Sequence, residues 1–251
     1  MKTMKTLFAS IAAISVLAGC GGGGDGGSTE IAPGPSATAE GFWSGTTSTG
    51  TQVNVAILET GETWGVYTSG NSIIGALYGN TTSSGTSLNG SGSDFNIPSR
   101  TVTPGTYSGT YSSRATISLT ASNGTRFSGT YSASYDQAAS LAAVAGTFSG
   151  TGVSGGSSVQ SASVTISSSG AVSTPVSNGC SSAGTFTPRP SGKNIFNVSV
   201  TFTGANCALG NGATTTGVAY YDSATRQLLV MALNSARSDG FIYIGSKPAP
   251  V

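Results

Sequence analysis

The sequence predicts an all-β chain built as two tandem small antiparallel up-and-down β-barrels joined by a short helix or hinge. Three observations carry this expectation. Short runs that alternate large apolar with small polar residues recur over residues 41–245, separated by glycine-, serine- and asparagine-bearing turn signals. A pattern of aromatic, Ser, Gly and Thr returns as FWSGT from Phe42, TYSGTY from Thr106, RFSGTY from Arg126 and TFSGT from Thr147. A longer correspondence joins the halves. GFWSGT at Gly41 leads to VNVAILETG as GTFSGT at Gly146 leads to ASVTISSSG, so that Val55, Ile57 and Gly61 match Val164, Ile166 and Gly170 with a spacing that differs by four residues. So many short strands expose backbone edges, and closing each set into a barrel satisfies every N–H and C=O.

In the first half, residues 41–135, the aromatic-Ser-Gly-Thr units read as strand starts, because a large side chain alternates with small polar ones as on a strand with one buried face. Further strands follow at VNVAI, TWGVY, SIIGALYG, TSLNGSGSDF and ATISLTAS. Residues 136–145 lie in YDQAASLAAVAG, whose alanine and leucine content predicts a short helix after an Asp136 cap, serving as hinge or plug. The second half, residues 146–245, supplies ASVTIS, AVSTPV, AGTFTPR, NIFNVSVTFT, TTTGVAYYD, RQLLVMALN and DGFIYIG before a tail at 246–251. RQLLVMALN is apolar on every side, and periodicity alone does not separate a buried strand from a helix there; the TR ahead of it suggests a hairpin, hence a strand.

The N-terminus reads differently. Lys2 and Lys5 precede LFASIAAISVLAG, an apolar run too short for a stable span of a roughly 30 Å hydrocarbon core, which is the layout of a secretory signal over residues 1–19. It ends in Leu17-Ala18-Gly19-Cys20, and this tetrapeptide resembles the lipobox of bacterial lipoproteins. The resemblance implies cleavage before Cys20, a diacylglyceryl group on its thiol and an acylated (palmitate-type) amine, together a firmer anchor than a single acyl chain. It also implies, through Gly21 where an Asp would favour inner-membrane retention, sorting to the outer membrane of a Gram-negative cell, on its periplasmic or surface face. A plain secreted protein with a chance cysteine is the alternative. Residues 20–40, rich in Gly and Pro, read as a tether that lets a folded body stand off the membrane.

Composition excludes several function classes. The ten lysines and arginines, less Lys2 and Lys5, stand against nine acidic residues, so no basic footprint for nucleic acid exists. The chain contains no histidine, which removes Ser-His-Asp chemistry. With Cys20 lipidated, Cys180 and Cys207 form an even pair in an oxidising compartment and read as a disulfide, with two buried free thiols as the competing reading. Without histidine, two sulfurs leave a zinc tetrahedron incomplete, and Asp94, Asp136, Asp222 and Asp239 sit in loop-like contexts without metal-ligand spacing, so no metal or cofactor is expected. GTGVSG at Gly150 meets a strand rather than a helix, which denies it a phosphate-binding role. Glu59 and Glu62 flank a predicted hairpin and read as solvated turn carboxylates rather than as a glycosidase pair.

Taken with the lipobox, the glycine tether and the aromatic-Ser-Gly strands, this lipocalin-like pair of barrels resembles the bilobed surface lipoproteins typified by transferrin-binding protein B and factor H binding protein. Those proteins hold a host protein on exposed loops and strand faces, and the resemblance transfers no binding motif to particular residues here. The expectation is a non-catalytic binding module for a protein, a glycan or a small apolar ligand held in a barrel mouth. The alternative is a structural or assembly accessory of the envelope without a ligand. Trp43, Trp64, Tyr78, Tyr220 and Tyr221 are the candidate contact residues, with burial in the core as the competing role.

Overall fold

A computed structural model describes residues 38–249 of the chain. The expected signal segment 1–19, Cys20, all but the end of the tether and the last two residues of the tail lie outside the described residues. Within them the chain forms two closed eight-stranded antiparallel barrels. The first consists of β1 (Gly41–Thr47), β2 (Gln52–Ile57), β3 (Glu62–Ser69), β4 (Ser72–Ser84), β5 (Ser87–Asn96), β6 (Thr101–Ser112), β7 (Thr116–Ala121) and β8 (Arg126–Tyr131), with β8 pairing back onto β1. The second consists of β9 (Gly146–Ser154), β10 (Gln160–Ile166), β11 (Ala171–Ser173), β12 (Ser181–Pro188), β13 (Phe196–Thr203), β14 (Thr214–Asp222), β15 (Gln227–Leu233) and β16 (Gly240–Ser246), closed by β16 on β9. Within each barrel consecutive strands pair as hairpins and the last strand pairs with the first, so neither sheet has an edge to protect.

The matching stretches of the two halves occupy equivalent places. Trp43 stands opposite Val55 in the β1–β2 ladder, and Phe148 stands opposite Val164 in the β9–β10 ladder, each pair inside its own barrel. Gly41 meets Ile57 as Gly146 meets Ile166, so the four-residue difference in spacing is absorbed by a longer second hairpin. Two glycine pairs explain why the pattern tolerates no side chain. A Cβ at Gly45 would lie 1.9 Å from the Ser128 carbonyl oxygen, and one at Gly150 2.0 Å from that of Ile244. Gly61 and Gly170 both adopt positive φ, 83° and 84°, and their carbonyls accept from Thr81 and Phe186 of the strand two positions on.

One of the aromatic-Ser-Gly units is not a strand start: TYSGTY lies in the middle of β6, which begins at Thr101. Pro104 sits in the early part of β6, which pairs only with β5. The β7 ladder begins at Tyr107, so the missing proline N–H falls on an unpaired side. The linker also departs from expectation. Ala133–Asp136 is a 3-10 turn, and the helix shrinks to α1 (Leu141–Val144), whose N-terminus is capped by the Ser140 hydroxyl accepting from the Ala143 N–H at 3.2 Å. Asp136 is therefore not its cap. Instead Asp136 accepts from Arg114 at 3.0 Å, on the β6–β7 turn, and from Lys193 at 2.8 Å, on the β12–β13 connection, bridging the two barrels. Burial raises its pKa, but the bonds from Lys193 and Tyr131 and the charges of Lys193 and Arg114 outweigh this and hold the carboxyl below its ordinary value. The short helix still joins the two barrels as expected, and of its two expected roles, hinge or plug, Leu141 and Val144 supply the plug by packing into the core of the second barrel.

Three apolar clusters hold the body together. Trp43, Val55, Ile57, Leu88 and Tyr111 fill the lower part of the first barrel, where the Trp43 indole donates to the Ala39 carbonyl at 3.1 Å. Phe148, Phe186, Phe196, Val198 and Tyr221 fill the second. The third cluster lies between the barrels. Outward residues of β1 to β4, including Phe42, Ala56, Trp64 and Val66, pack on outward residues of β14 to β16, including Val218, Tyr220, Met231 and Ile242. At its centre Phe42 and Tyr220 stack with ring centroids 3.7 Å apart and planes 12° from parallel. Around this stack the gap left is about 10 Å³, and a cleft of about 170 Å³ opens farther along the layer, between Ala76 and Phe95 of one barrel and Val153, Met231 and Leu233 of the other.

Cys180 and Cys207 are joined in a disulfide that ties the β11–β12 and β13–β14 connections at the open end of the second barrel. With a sequence separation of 27, the bridge restricts the unfolded chain by about 3 to 4 kcal/mol on the loop-entropy account. Reduction is expected to lower the melting temperature of the whole body, and hydrogen exchange should show the earliest loss of protection in β11 to β14. Unchanged melting under full reduction contradicts this.

Candidate functional site

The two barrel interiors are filled differently, and the difference follows from which residues face inward. Large residues line the second barrel through most of its height. In the first barrel, by contrast, the inward positions nearest the β1–β2, β3–β4, β5–β6 and β7–β8 turns include Gly65, Gly75, Gly92 and Gly105. These glycines leave a cavity of about 470 Å³ open at that end. This volume falls within the range of small-molecule sites. Val55, Leu77, Leu119 and Phe127 give apolar walls, and Thr47, Thr51 and Thr103 give hydroxyls near the rim.

Tyr107 meets the cavity from below and anchors a buried chain of hydrogen bonds beneath it. The Thr63 hydroxyl donates to the Gly61 carbonyl at 3.0 Å and lies 2.6 Å from the Thr81 hydroxyl, which lies 2.7 Å from that of Tyr107. Since each hydroxyl has one proton, Thr63 accepts from Thr81 and Thr81 accepts from Tyr107. The Tyr107 proton is thus used within this hydrogen-bond chain.

Above it stands the one charged residue that lines the cavity, Asp94. It lies in β5 opposite Leu77 on β4 and Thr103 on β6, on the same inward face as Leu88, Gly90 and Gly92. Among the described residues it receives no hydrogen bond and no ion pair. Burial raises its carboxyl pKa. Burial and the nearby Asp94 charge, with a smaller contribution from Tyr107, together push the Tyr67 hydroxyl far above its ordinary value, so it stays protonated beside the carboxylate. The expectation of loop placement for Asp94 is corrected: it is a strand residue whose period-2 position points inward. Asp222, too, belongs to a strand, as the last residue of β14, accepting from the Ala224 N–H at 2.9 Å, while Asp239 lies in the turn before β16. Among the described residues no cluster of three metal-ligating side chains forms.

The five aromatic candidates are divided among three places. Trp43 lies at the closed end of the first barrel, and Tyr221 lies in the second barrel with its ring edge-on to Phe148 at 5.7 Å. Trp64, Tyr78 and Tyr220 belong to the layer between the barrels. There the Arg237 guanidinium covers the Trp64 and Tyr78 rings at 5.4 and 5.0 Å, and the Tyr220 hydroxyl bonds to Ser132 and Ser134. None of the five lines the cavity. Glu59 is held by Arg189 at 2.8 Å, and Glu62 accepts from Tyr78 at 3.2 Å, so the two carboxylates engage different partners. The signal that finds Asp94 instead is parity: in SLNGSGSDFN, Asp94 falls on the same alternate positions as Leu88.

The open end of the second barrel also carries a hollow, of about 530 Å³, beside the disulfide. It is lined by serines, Asn178, Asn206, Phe202 and Phe241, with no charged side chain among its lining residues.

An unpaired carboxylate in a partly dry cavity opposes folding when ionised. The folded-state pKa of Asp94 lies above that of the unfolded chain. The stability linked to its proton is therefore complete below the ordinary carboxylate range and lost as pH rises through the raised value. Asp94→Asn is expected to melt above the parent chain at about pH 7 and level with it at about pH 3. A lower melting temperature at neutral pH would show that the carboxylate is satisfied.

Comparison of the chain with family models, with curated proteins and with solved structures finds no match.

Proposed function

We propose that this chain is a non-catalytic binding module of the bacterial envelope, anchored through a lipid on Cys20, which takes a small, largely apolar ligand into the open end of its first barrel. The observation that carries the reading is the glycine-lined cavity over a satisfied chain of hydroxyls: its walls are apolar, its depth is fixed by closed β-sheet, and its rim is made of hydroxyls that can orient a guest. Rigid walls lower the ordering cost of binding, which favours a preformed site. Nothing in the cavity resembles a pair of groups poised for proton transfer. A single carboxylate beside a tyrosine driven upward in pKa is a recognition arrangement, and with no histidine in the chain neutral-pH acid–base catalysis lacks its usual agent.

The aromatic packing between the barrels supports the same assignment. Because Phe42 and Tyr220 are already stacked on one another, the aromatic residues that would otherwise serve a protein interface are spent on holding the barrels together. Among the described residues the large hydrophobic side chains left exposed are Val102 and Val176, each at the open end of its own barrel.

Two tests address the two halves of the proposal. A neutral environment-sensitive fluorophore such as N-phenyl-1-naphthylamine, titrated into the full chain, should brighten on binding, and Gly105→Phe should abolish this. A side chain at Gly105 projects into open space, its Cβ lying 3.8 Å from the Ser122 hydroxyl as nearest neighbour, so the variant should fold while filling the hollow. Probe binding that survives in folded Gly105→Phe places the site elsewhere, and absence of binding in the parent favours the structural-accessory reading. For the anchor, Cys20→Ala expressed with its leader should partition into the aqueous phase, whereas the parent requires detergent. A variant that still needs detergent refutes the lipid anchor.

A further inference from the structure

The cavity of the first barrel holds one charge and nothing that answers it. No lysine or arginine lines it, the Tyr107 proton is committed to the Thr81 hydroxyl, and Asp94 receives no hydrogen bond from any described residue. An ionised carboxylate half withdrawn from water is a costly thing to keep without a partner, and it becomes favourable only when a cation is brought to it. Its surroundings decide which kind of cation. A hard divalent ion needs six or more oxygen ligands, most of them anionic or carbonyl, whereas Asp94 stands among Leu77, Gly92, Tyr67 and apolar walls, with no second carboxylate. An organic ammonium asks for one anion, a wall for its carbon body and an aromatic face or hydroxyl oxygen beside its remaining N–H groups. The Tyr67 ring and hydroxyl supply the last of these, and the opposite hydroxyl of Thr103, Asp94's cross-strand neighbour, stands at the rim.

We propose that the first barrel selects small amphiphilic amines, with Asp94 as the counter-ion of the ligand's ammonium group and the Val55, Leu77 and Phe127 walls holding its apolar body. This rests on the reading of the cavity as a ligand site and names the ligand's chemistry. Tyr67 orients the head group by offering its oxygen as acceptor. Specificity arises because a carboxylate-bearing ligand of the same shape would set two anions together, and a neutral one would leave the charge of Asp94 without a counter-ion.

The test uses three probes of one chain length, decylamine, decanol and decanoate, titrated calorimetrically into the full chain near neutral pH below their aggregation limits. The expected order is amine over alcohol by at least about tenfold, as for a charge-assisted hydrogen bond, with decanoate weaker than both. Asp94→Asn should bring the amine's affinity down to that of the alcohol. T103K, which sets an internal ammonium opposite Asp94, should do the same with the carboxylate still present, and so answers the case in which Asp94→Asn does not fold. If the alcohol binds but the amine gains nothing, or if the amine's advantage survives both variants, the cavity stands as a ligand site and Asp94 is not its selector. If none of the three binds, the ligand-site reading falls and this inference falls with it. Calcium chloride in place of the amine should give no heat; a saturable calcium isotherm lost in Asp94→Asn would overturn the amine assignment.

Discussion

The body of this protein depends on burying both faces of the same strands. A barrel wall ordinarily has a dry side and a wet side, and its sequence alternates accordingly. Strands β1 to β4 and β14 to β16 are dry on both. Trp43, Val55 and Leu228 face a barrel interior, while their neighbours Phe42, Ala56 and Leu229 face the other barrel. The Phe42–Tyr220 stack stands at the centre of that layer, and around it the charged contacts Glu59–Arg189 and Arg114–Asp136–Lys193 form a rim. Each large side chain removed from water in this layer contributes on the order of 1.5 to 3 kcal/mol, whereas the exposed ion pairs contribute little. The apolar layer therefore holds the two barrels together, with the ion pairs around its edge.

With outer faces committed to each other, the interiors are where the two halves differ. Equivalent positions on the strands match, as Trp43 and Phe148, Val55 and Val164, Gly61 and Gly170 show. The second barrel keeps large side chains through its core and is stoppered by α1 and clamped by Lys247, whose ammonium donates to the Ala143 and Ala145 carbonyls and sits over the Phe148 and Tyr221 rings. The first barrel instead sets glycine at four inward positions of its open end and one carboxylate among them. One lobe thus opens on a charge-free hollow of about 530 Å³, and the other on a charge-bearing one of about 470 Å³.

Much of this was legible in the sequence, and the reasons for the rest are physical. Two barrels of short strands followed from alternation and turn residues, and RQLLVMALN read as a strand because a hairpin preceded it, although its two-sided burial hid the period. The disulfide followed from cysteine parity. The roles of Tyr220 and Tyr221 did not, because adjacent strand residues point opposite ways and only the long-range packing says which face meets the partner barrel. TSLNGSGSDF reads as a strand, but Gly90, Gly92 and the serines around Asp94 blur its alternation and make the carboxylate look loop-like, and those glycines are what hollow the barrel around it. The Asp136 cap failed for a different reason: two cations brought in from distant segments hold that carboxylate more strongly than a helix N-terminus one turn long.

The central claim is that the open end of the first barrel is where a guest is held. Backbone amide chemical shifts of the full chain, followed by NMR as decanol is added, address it residue by residue. The account predicts saturable shifts at Gly65, Gly75, Gly92 and Gly105, which line the hollow, with Gly184 and Gly217 in the second barrel unmoved. Shifts gathered instead around Phe202 and Phe241 at the disulfide end, or none at all at saturating alcohol, would contradict it.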